Sequence, residues 1–250
     1  MAKTIIDLHT HCNYGFKFDC SGNDLHKRDF EFMVNDHKNN GISVGGFSYY
    51  SSILSDKEIY ECNEKLYEQS LQDERVYQWL VLDPRQEKLF NQIDNKLCGE
   101  KVLGIKIHSV YHKYDILEYG DKIFSFANKL KCFLLMHPDN IPTMVSFADK
   151  YPNMKLIIAH LGSLEHIDAI KEAKHGNIYT DTSGGLSGLN NVIEYAVDKV
   201  GSEKIFFGTD TYSCAFQVGR IMGARIREKD KENIFYNNAK NHFSRQFKEI

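Results

Sequence analysis

Two histidines one residue apart, His9 and His11, follow a short apolar run near the start of the chain. The segment reads Ile-Ile-Asp-Leu-His-Thr-His, which is typical of a buried strand, where residues i and i+2 point to the same side. We therefore expect His9 and His11 to project together, with Asp7 beneath them on the same face. Two imidazoles at one strand end form half of a site for zinc, manganese or iron. The pattern alone is equally compatible with one ligand and one hydrogen-bonded core histidine.

Eight short apolar runs alternate with segments of helical periodicity. The runs cover residues 4–9, 42–47, 77–82, 102–108, 132–137, 155–160, 178–181 and 205–208. Runs that are apolar on both faces are typical of parallel sheets, so eight such units predict an α/β protein with a single (β/α)8 TIM barrel domain over residues 1–250. The tail, residues 229–249, is predicted as one more helix that closes the barrel. A doubly wound sheet is the runner-up, but residues 12–24 lack its usual glycine-rich loop.

Polar side chains stand at the ends of most of these runs, where barrel enzymes place their active sites. Besides the first two histidines, the strand-end residues are Lys106, His108, His137, His160, Asp181 and Asp210. The remaining histidines are predicted to be surface or packing residues, with His112 as the main exception: His26, His37, His112, His166, His175 and His242. Imidazoles and a carboxylate at one barrel mouth would be costly to bury without a shared ligand, and a divalent metal is such a ligand.

The motifs at these strand ends resemble those of the amidohydrolase superfamily. They read Asp-Leu-His-Thr-His at residues 7–11, Gly-Ile-Lys-Ile-His at 104–108, Met-His-Pro at 136–138, Ala-His-Leu-Gly at 159–162 and Gly-Thr-Asp-Thr at 208–211. The resemblance is closest to the amidohydrolase-related branch, which includes metal-dependent hydrolases and aminocarboxymuconate-semialdehyde-type decarboxylases. It covers nearly the whole chain and is specific for the fold and the site, but weak for the substrate.

The resemblance implies a metal site and a role for each strand-end residue. It implies that the ligands of one divalent ion are His9, His11, His137 and Asp210, with zinc favoured over manganese or iron. It also implies that His160 polarises the substrate or moves protons, and that Asp210 is both a ligand and the general base. A metal ion lowers the pKa of bound water toward about 7, so such a site would supply hydroxide at neutral pH.

Lys106 leaves the number of metal ions open. In binuclear members of the superfamily, a carboxylated lysine of the fourth strand bridges two ions, so Lys106, His108 and His160 are candidates for a second metal or for substrate binding. A single ion is favoured, with a cationic Lys106 paired to Asp7 or to an anionic substrate. The candidates for supporting roles behind the ligands are Asp7 and Asp181. Asp181 is expected to hold His160, anchor the substrate or form a turn.

Loop position gives candidates for the walls of the pocket: Tyr49, Tyr50, Arg85, Tyr111 and Tyr212. Tyrosine and arginine side chains suit a small anionic or aromatic substrate. After Asp210 the chain continues Thr-Tyr-Ser-Cys, where the family often has Tyr-Pro. This departure means that the substrate of no known member can be transferred to this chain. Cys12 directly follows a candidate ligand and is predicted to be a bystander thiol.

The composition limits the partners and the location. The net charge of -3, without a basic run, argues against nucleic acid, and no apolar run approaches the ~20 residues of a membrane span. Six cysteines without a C-x-x-C motif indicate reduced thiols, and with no signal segment the cytoplasm is the expected location. The expected partner is a small-molecule substrate, and a homodimer is expected only by analogy with the similar decarboxylases.

Three functions are compatible with this site. The leading hypothesis is a hydrolase that uses metal-activated water on a small ester, lactone or amide. The alternative is a non-oxidative decarboxylase of a small aromatic or enol carboxylic acid on the same metal site. The third is a barrel that keeps its metal only for stability or binding, and the complete ligand set argues against it.

Overall fold

The computed structural model describes residues 4–13 and 29–250. Within them, eight parallel strands follow one another around a single sheet in sequence order. The strands are β1 (Ile5–Cys12), β2 (Ile42–Tyr49), β3 (Val76–Val81), β4 (Val102–Ile107), β5 (Phe133–Met136), β6 (Lys155–Ile158), β7 (Ile178–Asp181) and β8 (Ile205–Phe206). His26, which was predicted to be a surface or packing residue, lies outside the described part of the chain.

The last strand returns to the first and so closes the barrel. The Leu8 N–H donates to the Phe207 carbonyl oxygen at 2.9 Å, and the Thr209 N–H donates to the His9 carbonyl oxygen at 2.9 Å. These bonds satisfy backbone groups that an open sheet would leave at its edges. The predicted single (β/α)8 barrel is confirmed, and the doubly wound sheet is excluded.

Helices alternate with the strands and cover the sheet. They are α1 (Phe30–Asn39), α2 (Tyr50–Leu54), α3 (Ile59–Gln72), α4 (Glu87–Lys96), α5 (Ser109–His112), α6 (Ile116–Leu130), α7 (Ile141–Lys150), α8 (Leu164–Glu172), α9 (Val192–Val200), α10 (Cys214–Met222), α11 (Glu228–Glu232) and α12 (Asn238–His242). Across residues 4–13 and 29–250, none of these helices has both the length and the apolar character needed to cross a bilayer.

The C-terminal segment closes the end of the barrel opposite the site, as predicted. The helical backbone runs without a gap from Glu228 to His242, with the π-helix Asn233–Asn237 between α11 and α12, and it ends several residues before the predicted residue 249. Phe243 and Phe247 pack into the barrel interior, where their ring centroids lie 6.1 Å from Trp79 and 4.7 Å from Tyr77. These aromatic side chains fill this end of the barrel, and the polar strand-end residues lie at the other end.

The first strand changes the face that it presents part of the way along its length. Its pairing register with β2 shifts between Asp7 and Thr10. Asp7 lies with its Oδ2 3.1 Å from His37 Nε2 on α1, whereas His9 and His11 lie at the barrel mouth. The expectation that Asp7 shares their face is therefore wrong, because a register shift re-aims the side chains that flank it.

A partly buried ion pair between α9 and α10 gives a stability prediction. Arg220 donates to Glu194 at 2.7 Å and the Arg225 N–H donates at 3.0 Å. Burial alone would raise the pKa of Glu194, but these donors lower it to about 2. A carboxylate with a depressed pKa stabilises the fold above its ordinary pKa, and this contribution is lost as the pH falls through the folded-state value.

We expect Glu194→Gln to lower the free energy of unfolding by about 2 kcal/mol at pH 7. The difference from the parent protein should shrink as the pH falls from about 4.5 toward 2, because both proteins then lack the charge. Urea unfolding at several pH values measures this. The control is Glu228→Gln, which removes an exposed carboxylate. A pH-independent difference would show that the ion pair is not its cause.

Candidate active site

The two histidines of β1 are held with their Nε2 atoms facing the barrel mouth. His9 Nδ1 lies 2.9 Å from Asp181 Oδ2, and His11 Nδ1 lies 3.2 Å from the Ser48 carbonyl oxygen and 2.8 Å from Ser48 Oγ. A carboxylate and a carbonyl oxygen can only accept, so both rings donate from Nδ1. Both Nε2 atoms therefore carry lone pairs when the rings are neutral, and burial lowers the pKa of both histidines.

Lys106 lies at the centre of the barrel mouth with 1% of its surface exposed. Its Nζ lies 3.0 Å from His9 Nε2. Burial lowers the pKa of Lys106 to about 8, against the opposing attraction of Asp210 and Asp181. The predicted pairing with Asp7 is wrong, because Asp7 instead accepts hydrogen bonds behind β1.

Asp7 joins the two strands that close the barrel. It accepts hydrogen bonds from the backbone N–H of His9 at 3.0 Å and from the Thr209 hydroxyl at 2.6 Å. Its supporting role therefore acts on the main chain that carries His9, and its carboxylate does not contact the ring.

His160, two residues after β6, and Asp210, four residues after β8, have left-handed backbone conformations. Their φ angles are 65° and 56°. Residues other than glycine rarely adopt this backbone conformation, because it costs about 1–3 kcal/mol. Such strained residues are found most often at functional sites. Among the residues that the structure describes, the other two non-glycine residues with positive φ, Lys113 and Lys131, are the C-caps of α5 and α6. Within residues 4–13 and 29–250, the left-handed conformations that helix ends do not explain are therefore those of these two site residues.

The left-handed backbone presents both side chains to the cavity. The exposed fraction of the side chain is 15% for His160 and 17% for Asp210, compared with 1% for His9 and 3% for His11. His160 Nδ1 lies 4.0 Å from Asp210 Oδ2. Burial lowers the pKa of His160 to about 4, so the ring is neutral at pH 7.

Three lone-pair atoms converge on one point beside the cavity. His9 Nε2 lies 3.2 Å from His11 Nε2, which lies 3.3 Å from Asp210 Oδ1. Two imidazole lone pairs at this distance repel each other unless a cation lies between them. Ligands held at about 2.1 Å around one divalent ion are about 3.0–3.4 Å apart, so these residues fit such an ion. Asp181 forms a second compatible group with His9 and His160.

His137 and His108 form a stacked pair that also lines the cavity. Their ring centroids are 4.0 Å apart at 14°, and His137 Nδ1 lies 3.1 Å from His160 Nε2. Burial lowers the pKa of both histidines, that of His137 to about 3. Among the described residues His137 belongs to neither compatible metal group. Its role as a ligand stays a prediction.

Asp181 supports two histidines at once. In addition to its contact with the His9 ring, its Oδ1 accepts hydrogen bonds from the backbone N–H of His160 at 3.1 Å and of Ser183 at 2.9 Å. Burial would raise the pKa of Asp181, but His9 and the hydrogen bonds lower it. Asp181 therefore holds the His9 ring and the turn that carries His160, and it does not line the cavity that would receive the substrate.

The cavity at the barrel mouth has a volume of about 400 Å³. Three of the predicted wall residues line it: Tyr50, Tyr111 and Tyr212. The candidate metal-binding and proton-transfer residues that line it are His11, Lys106, His108, His137, His160 and Asp210. Arg85 and Tyr49 were wrongly predicted to line it. Arg85 donates to Asp83, Asp56 and the His112 carbonyl oxygen, and the buried Tyr49 hydroxyl donates to Gln69.

Sequence reasoning missed several residues of the site. Ser48 holds the His11 ring, and Ser163 with His166 lines the cavity. His166 was predicted to be a packing residue, and its spacing to Ser163 at the start of α8 was an available signal. His112 was singled out as an exception, but its Nε2 lies 2.9 Å from the Ser52 carbonyl oxygen and it does not line the cavity.

A family model described as amidohydrolase matches residues 6–244. Among curated proteins, the sequence finds no match. The expectation that the chain is an enzyme of this superfamily is confirmed by the match, which spans nearly the whole chain.

Solved structures share the fold at low sequence identity. A 5-carboxyvanillate decarboxylase from Sphingomonas paucimobilis superposes with a TM-score of 0.78 at 13% identity, covering 97% of this chain and 99% of that chain. A 2,6-dihydroxybenzoate decarboxylase from Rhizobium gives 0.78 at 15% identity, with coverage of 97% and 99%. A dihydroxybenzoic acid decarboxylase from Polaromonas, with bound manganese and the inhibitor 2-nitroresorcinol, gives 0.77 at 18% identity, with coverage of 97% and 97%.

These likenesses correct the leading functional prediction. The sequence analysis favoured hydrolysis of a small ester, lactone or amide. The similar structures named above are instead decarboxylases of aromatic acids, which correspond to the alternative left open by the sequence. The hydrolase prediction is therefore wrong.

Proposed function

This chain belongs to the amidohydrolase family, and from that premise we propose that it is a metal-dependent, non-oxidative decarboxylase of a small phenolic acid. One observation carries the proposal: a buried lysine, a compatible metal group and the partly exposed side chains of His160 and Asp210 meet in a cavity of about 400 Å³. Pockets for small ligands begin at about 300 Å³, so this one suits a single substituted ring. The similar decarboxylases supply the reaction class.

Different residues of the cavity would bind the ring and the carboxylate of such a substrate. Tyr50, Tyr111 and Tyr212 line the walls and offer aromatic faces to the ring. Lys106 lies on the floor and offers a positive charge to the carboxylate. An ammonium–carboxylate contact is strong in a buried site because little water competes for it.

We assign the ion to His9, His11 and Asp210, with His137 as the further ligand that the family resemblance implies. A divalent ion bound there would polarise substrate oxygens and offset their negative charge. Imidazole and carboxylate ligands suit both manganese and zinc. Manganese in the similar Polaromonas structure makes it the first metal to test, alongside the zinc favoured by sequence.

The reaction requires one proton to reach the ring. The bond between the ring carbon and the carboxylate carbon breaks, its electron pair stays on the ring carbon, carbon dioxide leaves, and a proton replaces it. No water and no oxidant are consumed. His160 and Asp210 are the groups that we assign to this proton transfer, because both side chains line the cavity, are more exposed than those of His9 and His11, and lie 4.0 Å apart.

The test is turnover of phenolic acids by protein loaded with one equivalent of manganese or zinc. The probes are 2,6-dihydroxybenzoate and 5-carboxyvanillate, with p-nitrophenyl acetate as the ester comparison. In D2O we expect release of carbon dioxide and one deuterium at the vacated ring carbon. Chelator should abolish turnover, and added metal should restore it. Ester cleavage without any decarboxylation across a wider panel of phenolic acids would overturn the proposal.

We also propose a cytoplasmic location and a single catalytic domain. The five cysteines in the described part of the chain are free thiols, which supports a reducing compartment. The homodimer remains an expectation by analogy, and sedimentation equilibrium of the metal-loaded protein tests it.

A further inference from the structure

Two half-buried lysines lie at the end of the barrel opposite the candidate active site. Lys155 begins β6, and Lys204 directly precedes β8. Their hydrogen-bond partners are uncharged: Lys155 Nζ lies 3.1 Å from His242 Nδ1, and Lys204 Nζ donates to the Gly176 carbonyl oxygen at 2.5 Å. Burial lowers the pKa of both lysines, and no carboxylate of the described chain counteracts this effect.

Other partly buried lysines of this protein are paired with acids. Lys96 Nζ lies 3.0 Å from a Glu64 carboxylate oxygen, and Lys231 Nζ lies 2.8 Å from one of Glu228. A charged group that loses water usually gains an opposite charge, because burial without one is costly. The first two lysines therefore carry positive charge that the described part of the chain does not neutralise.

His242, on α12, brings a third basic group to the same place. Lys204 Nζ lies 4.5 Å from the centroid of the Tyr179 ring, which is 5.0 Å from the centroid of the His242 ring. Burial and the two ammonium groups lower the pKa of His242 to about 4. The imidazole is therefore neutral at pH 7 as long as no anion offsets the positive charge around it. We refer to Lys155, Lys204 and His242 as the basic cluster.

A cavity of about 300 Å³ opens beside the basic cluster. Lys155, His242 and Arg245 line it, and among the described residues no acidic side chain does. Glu100, whose charge interacts with that of Arg245, pairs instead with Lys248 at 2.8 Å. Apolar side chains form much of the remaining wall: Leu97, Leu103, Leu130, Phe133 and Phe243. The cavity therefore combines a positive region with an apolar wall.

We propose that this cavity binds a small oxyanion, a phosphate or carboxylate group held by Lys155 and His242 and attracted by Lys204. Charged nitrogen donors form strong hydrogen bonds with such oxygens, and a half-buried site strengthens them because less water competes. Pockets for small ligands begin at about 300 Å³, so a compact anion fits. The apolar wall suits the hydrocarbon part of an organic acid. The proposal does not depend on decarboxylation, because this cavity and the active site lie at opposite ends of the barrel.

The experiment is calorimetric titration of the metal-loaded full chain with inorganic phosphate at constant ionic strength, so that general screening does not change. We expect saturable binding by the parent protein. Lys155→Met should weaken it by about 10-fold or more, because a charged partner of the anion is lost, and Lys204→Met should weaken it by a smaller factor. Both variants should fold, since methionine has a similar volume and removes a half-buried charge. Sodium butyrate is the second probe: tighter binding than phosphate assigns an organic acid as the ligand, and the reverse order assigns a phosphate.

Two control variants separate this site from others that could attract an anion. Lys101→Met removes another half-buried lysine, one that Asp73 and Glu74 attract, and Lys106→Met removes the lysine of the active site. Both should keep the phosphate binding that Lys155→Met loses. Phosphate should also raise the thermal unfolding temperature of the parent more than that of Lys155→Met. Absence of saturable binding for both anions, or equal binding by the parent and Lys155→Met, would overturn the proposal.

Discussion

The substitution Asp210→Asn should reduce the kcat of decarboxylation by about 1000-fold or more. A positioned acid–base group contributes about 10²–10⁴-fold. Asp210 is also the only carboxylate of the metal group formed with His9 and His11. An amide would remove a negative ligand and the proton carrier together, so both functions would be lost with one atom exchanged.

The fold should survive this change, and that makes the loss interpretable. Asn, like Asp, tolerates the left-handed φ of 56° at position 210. The backbone bonds that tie residue 210 to β1 remain, including the Asp210 N–H donated to the His9 carbonyl oxygen at 2.6 Å. We therefore expect the thermal unfolding temperature to stay within a few degrees of that of the parent. Steady-state kinetics and metal content per chain are measured on the same preparation.

The control is Asp139→Asn, which makes the same chemical change near the mouth. Asp139 accepts a hydrogen bond from Ser109 at 2.7 Å and does not line the cavity. Its kcat should remain within about twofold of the parent value. If Asp210→Asn kept full turnover with its metal bound, Asp210 could be neither the proton carrier nor an essential ligand.

The positions of the site residues follow from the sequence because the barrel imposes them. Apolar runs mark the strands, and the polar residues that terminate them must meet at one mouth, as His9, Lys106 and His160 do. This inference needs only the positions of the buried strands, and uninterrupted apolar runs in the sequence indicate those positions.

The contacts that support those residues depend on three-dimensional features that the sequence alone does not show. Asp7 was placed on the wrong face because one register shift in β1 reverses the alternation of side chains. Arg85 was expected in the pocket, but two aspartates, Asp56 and Asp83, bind its guanidinium elsewhere.

The substitution Lys106→Met should lower kcat/KM for a phenolic acid by about 100-fold. A hydrogen bond to a charged partner contributes about 1.5–3 kcal/mol, and each 1.36 kcal/mol is a factor of ten. Because Lys106 would hold the carboxylate before and during reaction, the loss should be mainly an increase in KM. The fold should be retained, since methionine fills a similar volume and removes an ammonium that is costly to bury.

The metal content of this variant decides between the one-ion and two-ion interpretations. With Lys106 as a cation, the parent and Lys106→Met should both bind one ion, and the variant should bind it more tightly because a positive charge 3.0 Å from His9 Nε2 is gone. With Lys106 carboxylated, the parent should bind two ions and the variant one. Metal analysis and calorimetric titration distinguish these outcomes.

The control for both measurements is Lys155→Met, which removes a half-buried lysine at the opposite end of the barrel, beside His242. It should change neither KM nor the metal content. One ion in the parent, together with unchanged kinetics in Lys106→Met, would show that the carboxylate is held elsewhere. Two ions in the parent would make Lys106 a ligand, and the charge pairing proposed for the substrate would then have to come from the metal centre itself.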